Sequence, residues 1–113
     1  MFAYEIPGAR FSLPAGADVK RYHFVAINGD SAGITATAAS QVIGVAMNTA
    51  KTGEVLEIAD GIIMVEAAGA VTPGTAVYAA ADGRATTTEG TGNVAGIALT
   101  AAAAAGDIIT VKM

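Results

Sequence analysis

The sequence has no cysteine, no tryptophan, one histidine and three prolines. Without cysteine there is no disulfide framework and no thiolate zinc site. A single imidazole excludes a multi-histidine metal site and leaves only one way to build a histidine-based triad. Positive charge is also sparse. Six Lys and Arg stand against ten Asp and Glu, for a net charge of −4, and only Lys20-Arg21 are adjacent. That balance disfavours nucleic acid and anionic membranes as partners. No apolar run reaches the ~18 residues of a membrane span. The start, Met1 to Pro7, lacks the basic and apolar stretches of a secretory signal, so synthesis in the cytoplasm of the producing cell is expected.

Large apolar side chains are scarce too. Of the 53 % apolar residues, 27 are Ala, ten Val, ten Ile and only three Leu. At 113 residues the chain is one domain, and a core this thin predicts that copies of itself or a larger assembly complete its burial. Ile and Val outnumbering Leu points to strands, because branching at Cβ suits a pleated sheet. Alternation is clearest in Tyr22 to Ile27 and in Glu54 to Ile58. Ile62 to Val65, Ala76 to Tyr78 and Ile108 to Val111 are apolar runs of strand length. Asn28-Gly29-Asp30, Thr52-Gly53, Asp60-Gly61, Pro73-Gly74 and Asp82-Gly83 separate them as turns, and Asp60-Gly61 reads as a tight hairpin. The five alanines at 101–105 are open between a short helical turn and an extended loop. The stretch Ile34 to Gln41 is open between strand and loop.

The order of pieces repeats. Gly44-Val45-Ala46-Met47 returns as Gly96-Ile97-Ala98-Leu99, and Gly53 to Ile58 returns as Gly106 to Val111. Phe24 to Asp30 is echoed by Tyr78 to Arg84, and Pro14-Ala15-Gly16 by Pro73-Gly74-Thr75. The predicted fold is therefore all-β: a compact sandwich or barrel of two pseudo-repeated strand motifs, about 13–58 and 72–111, in one domain spanning 13–113. Residues 1–12 differ in kind. Phe2, Tyr4, Ile6 and Phe11 concentrate large apolar groups outside the repeat. This segment reads either as a first strand or as an extended arm laid on a neighbour, and these four residues are the candidate contacts with a partner or another subunit.

Catalytic chemistry is hard to find. His23 sits in an alternating strand with no cysteine to pair with and no Ser in a nucleophile elbow, which predicts a surface or interface histidine. Ala50-Lys51-Thr52 lacks the glycines that let backbone amides cradle phosphate. The acidic residues are scattered through turns and match no calcium loop. No enzyme, cofactor or metal is expected.

Val71-Thr72-Pro73-Gly74-Thr75-Ala76-Val77-Tyr78, Asp82-Gly83, Thr86-Thr87-Thr88, Gly96-Ile97-Ala98-Leu99 and Ala104 to Val111, in that order and spacing, resemble the small tailed-phage capsid decoration (cement) proteins of the DUF2190 type. So do Val42-Ile43-Gly44-Val45-Ala46, Gly53-Glu54-Val55 and Asp60-Gly61-Ile62. The resemblance covers roughly 13–113 and leaves out the N-terminal arm. It implies a virion protein, made in the host cytoplasm, that binds the major capsid protein on the outside of the expanded icosahedral head. It also implies a homotrimer that reinforces the shell without nucleic acid or membrane contact. Members sometimes called recombinases find no support here, because the phosphate loop is missing. The competing reading is a ligand-binding β module, either carbohydrate-binding or of the carrier type with an attachment lysine such as Lys51; the absence of tryptophan and of the flanking residues such a lysine needs counts against it.

Overall fold

The structure is a computed structural model and describes residues 3–37, 40–89 and 93–113. Among these, nine strands and no helix occur: β1 (Ile6–Pro14), β2 (Phe24–Ile27), β3 (Gly33–Thr35), β4 (Gly44–Ala46), β5 (Val55–Glu66), β6 (Ala76–Ala79), β7 (Ala85–Thr86), β8 (Val94–Ala98) and β9 (Ile108–Lys112). All strand pairs are antiparallel, in the order β3-β2-β4-β5-β9-β8-β6-β7, with β1 added on β5. The sheet curls into a half-barrel, so the chain is all-β.

The strand order is a palindrome. The first four-strand unit, 3-2-4-5, meets its twin, 7-6-8-9, where β5 pairs β9. The backbone pairings of the two units coincide at an offset of 52 residues as far as the loops after β4 and β8, and of 53 in β5 and β9, where Val45↔Ala59 returns as Ile97↔Lys112. Ala15↔Gly33 returns as Ala67↔Ala85, and Val19↔Ala50 as Val71↔Ala102. Likewise Tyr22 N–H donates to the Ala46 carbonyl as Gly74 N–H donates to that of Ala98. In the sequence the GVAM/GIAL echo has the first of these registers and the echo of Gly53 to Ile58 in Gly106 to Val111 has the second. The structural counterpart of Phe24 is Ala76, not Tyr78, and that of Ala15 is Ala67, not Gly74. Ala- and Gly-rich strings match one another at many offsets; the hydrogen-bond ladder admits one at each place. Gly44 and Gly96 are the common mark of the two units. A Cβ on Gly44 would lie 2.7 Å from the Ala59 carbonyl oxygen, and one on Gly96 would lie 2.5 Å from that of Lys112. At both places the backbone crosses too closely for a side chain.

Two further expectations change. Asp60-Gly61 is not a hairpin but the middle of β5, one strand that serves both units. Gly61 has φ +101, and a Cβ there would collide with the Gly8 backbone. The register of β1 shifts between Pro7 and Arg10 opposite it, and Asp60 Oδ1 accepts the freed Ala9 N–H at 2.8 Å. A turn signal is thus used to make a bulge, because only one of its two residues takes positive φ whereas a type I′ turn needs both. The alanine run is a loop. Ala102 is buried and bridges to Val71, while the amides of Ala103 and Ala104 donate to Asp107 Oδ2 at 2.8 and 3.2 Å. β3 ends at Thr35, so among the described residues of the ambiguous stretch only the start is strand, and residues 38–39 lie outside the described residues.

Main-chain pairing places the expected arm partly in the sheet: β1 crosses the 12/13 boundary and runs along β5 from Ile6↔Ile62 to Pro14↔Val55. The main core joins Phe24, Val45, Ile63 and Val65 to Val77, Ile109 and Val111 of the second unit. A smaller cluster, Val19, Val25, Leu56 and Ile58, lies on the other side of the first unit, with Leu13 of β1 against it.

Candidate functional site

One polar cluster is built across the seam between the units. His23, at the entry to β2, is buried rather than superficial. Its Nδ1 lies 2.6 Å from the Asp82 carbonyl oxygen, which can only accept, so Nδ1 carries the proton. Nε2 faces Glu66 Oε1 at 3.7 Å. Arg84 reaches Glu66 at 3.4 Å and Asp82 Oδ2 at 2.8 Å. Burial pushes the Asp82 carboxyl up, but hydrogen bonds from the Arg84 backbone and side chain, with the Arg84 and His23 charges, outweigh it and hold the group below the ordinary carboxylate value. Asp18, Lys20, His23, Thr35 and Asp82 line an adjoining pocket of about 290 Å³. No described group of three or more His, Asp or Glu could hold a metal ion. The ring nitrogens of His23 and the carboxylates of Glu66 and Asp82 each face a structural partner. The cluster clamps one unit to the other.

The second feature is apolar and exposed. Directly paired residues of antiparallel strands project to the same face. Ile6 pairs Ile62, Ile62 pairs Lys112, and Lys112 pairs Ile97, so these four form a row across β1, β5, β9 and β8. Their neighbours Ile63 and Val111 point into the main core, so the row lies on the opposite face. Ile6 is 62 % exposed and Ile97 41 %. The repeat makes this face informative. Phe24, Ala26 and Val45 are buried in the first unit, whereas their counterparts Ala76, Tyr78 and Ile97 in the second are partly or fully exposed. Residues ahead of β1 cross the same region. Thr110 is fully buried beneath them, its hydroxyl donating to the Tyr4 carbonyl at 2.8 Å and accepting the Tyr4 N–H at 2.7 Å.

A family model described as phage cement protein matches residues 7–113. The chain belongs to that family. It is a capsid-associated phage protein, and its family is a structural one. The head fiber gp8.5 N base of bacteriophage phi29, known from a crystal structure, has the same fold. The TM-score is 0.76 at 21 % identity, covering 93 % of this chain and 92 % of that one. No curated protein matches the chain. Among the described residues no helix is long and apolar enough to cross a membrane.

The expected contact residues of this cement-family chain are placed as follows. Phe2 lies outside the described residues. Tyr4 and Ile6 come together at the exposed face, Tyr4 through its backbone on Thr110 and Ile6 at the end of the isoleucine row. Phe11 is further along β1, beyond the bulge, paired with Ile58 and 37 % exposed. Sequence reasoning missed Ile62 and Ile97, which sit in short apolar runs that read as core. The repeat held the signal: Ile97 aligns with buried Val45, and a face used inside one unit is left open in the other.

Proposed function

We propose that this chain attaches to the outer surface of the expanded icosahedral head by binding the major capsid protein, acts there as a homotrimer, and stabilises the shell. Membership of the cement family supports the location. The observation that carries the contact is the row Ile6–Ile62–Lys112–Ile97, with Ile6 and Ile97 exposed and Ile62 half-buried, on the face turned away from the core. Phe2, Tyr4, Ile6 and Phe11 supply the contact from the N-terminal side. Covering such a face stabilises by about 25 cal/mol per Å² of apolar surface removed from water. A protein that binds the assembled shell and not free subunits stabilises the shell by mass action, and many copies add.

The test is a double substitution, Ile6→Ser with Ile97→Ser. Deletion of 1–12 is less clean, because it uncovers β5 beside Leu56 and Ile58. The parent protein is expected to co-sediment with expanded heads and not with precursor shells, with the mass of a trimer on release. The variant is expected to lose attachment while its far-ultraviolet spectrum stays that of a sheet. Full occupancy of heads by the variant would refute the contact.

A further inference from the structure

Four observations converge on one end of the first unit. The bridge Val19↔Ala50 ties the loop before β2 to the loop before β5, with hydrogen bonds of 2.8 and 2.9 Å in the two directions. Lys20 and Arg21 follow that bridge on one loop and Lys51 follows it on the other, all three exposed, with the Arg21 amide donating to Thr49 Oγ1 at 3.1 Å. Half of the six basic residues of an acidic chain are thus gathered on two neighbouring loops.

Asp18, which lines the same pocket as Lys20, and Glu54 are engaged elsewhere. Asp18 Oδ1 accepts from the amide and hydroxyl of Thr52, and Glu54 Oε1 accepts from the Lys51 amide at 2.6 Å. Both acids cap backbone, and no described carboxylate makes an ion pair with Lys20, Arg21 or Lys51. Tyr22 adjoins them with φ +67, a left-handed conformation unfavourable for a side chain, at the position where the second unit has Gly74. Its backbone is fixed from two sides, by the Ala46 carbonyl and the Glu66 amide. The Arg21 guanidinium sits 4.5 Å from the centre of its ring. The twin end supplies the contrast: Lys20, Arg21, Tyr22 and Lys51 correspond to Thr72, Pro73, Gly74 and Ala104. The turn needs neither charge nor ring, so both are surplus to the fold.

We propose that Lys20, Arg21, Tyr22 and Lys51 form a second contact surface that binds an acidic patch of a protein in the assembled head. Tyr and Arg are the residue types that anchor protein interfaces, and flanking lysines steer approach to an acidic partner. A protein partner is favoured over nucleic acid. Three cations on a chain of net charge −4 are too few for phosphate-backbone binding, which uses roughly 6–10 contacts. The proposal rests on the head-attachment reading, and the experiment separates the two.

Attachment of the full chain to expanded heads stripped of it is measured at about 0.05 M and about 1 M salt. The double variant Lys20→Glu with Lys51→Glu is expected to associate roughly tenfold more slowly at low salt, with the difference closing at high salt. Tyr22→Gly, which keeps the turn, is expected to unfold at no lower temperature and to dissociate roughly tenfold faster. Parent that does not bind heads refutes the head-attachment reading. Parent that binds, with variants that bind equally well, refutes this surface alone. Binding of the parent to a single-stranded DNA oligonucleotide as tightly as to heads, abolished by the charge reversal, overturns the protein partner in favour of a polyanion.

Discussion

At the scale of the residue, the repeat gives each position an internal control. Ser31 has φ +61 where its counterpart Gly83 has φ +84. Ser31 is exposed, and its side chain makes no described hydrogen bond, so nothing offsets the left-handed backbone. Ser31→Gly is therefore expected to stabilise by about 1 kcal/mol or less, because relief of the left-handed cost outweighs the added freedom of glycine in the unfolded chain. A thermal melt would show a rise of a few degrees, and a fall would refute the reasoning. Gly44→Ala should do the opposite. The new methyl group would meet the Ala59 carbonyl and Ile58, at a cost of about 1–3 kcal/mol, visible as a lowered denaturant midpoint. Gly96→Ala should match it if the two crossings are equivalent.

At the scale of the element, β5 explains both what the sequence discloses and what it hides. Its two halves were legible, since Glu54 to Ile58 alternates and Ile62 to Val65 is a run of strand length. Their continuity was not, because Asp-Gly is the commonest hairpin dipeptide, and only the backbone of Gly8 across the pair shows it used as a bulge. The candidate site follows the same rule. Tyr4 and Ile6 stand out as large apolar groups near the terminus, whereas the buried state of His23 depends on Asp82 and Glu66, 59 and 43 positions away, which no local pattern announces. The seam they form is pH-sensitive. Asp82 has its carboxyl lowered by the fold, so its contribution is present above the ordinary carboxylate value of about 3.9 and fades as pH falls through the lower folded value. Asp82→Asn is expected to lower the melting temperature at pH 7 and to converge with the parent near pH 2. The effect is small, because the carboxylate is largely exposed. A gap that widened on acidification would refute the assignment.

At the scale of the whole molecule, the thin core goes with an ordinary exposed area. A folded monomer of 11.1 kDa exposes about 5,700 Å², and this chain exposes 5480 Å². Alanine is the reason. Thirteen of the 25 buried apolar residues described are Ala, Ala15, Ala46, Ala67 and Ala98 among them. Small side chains let two curled units approach closely, so low side-chain volume is matched by low interior volume. That area gives no sign of a core left for a partner to complete, so folding and assembly become separable questions. If burial is complete within one chain, the melting temperature should not depend on protein concentration between about 1 and 100 μM, even if trimers form over that range through the exposed isoleucine face. An obligate oligomer behaves otherwise, since mass action raises its melting temperature with each tenfold increase in concentration. Melts across that range, read beside sedimentation of the same samples, decide the matter. A concentration-independent transition leaves the isoleucine row and the Lys20–Lys51 loops as surfaces for attachment, whereas a climbing one would mean that the row belongs to the fold itself.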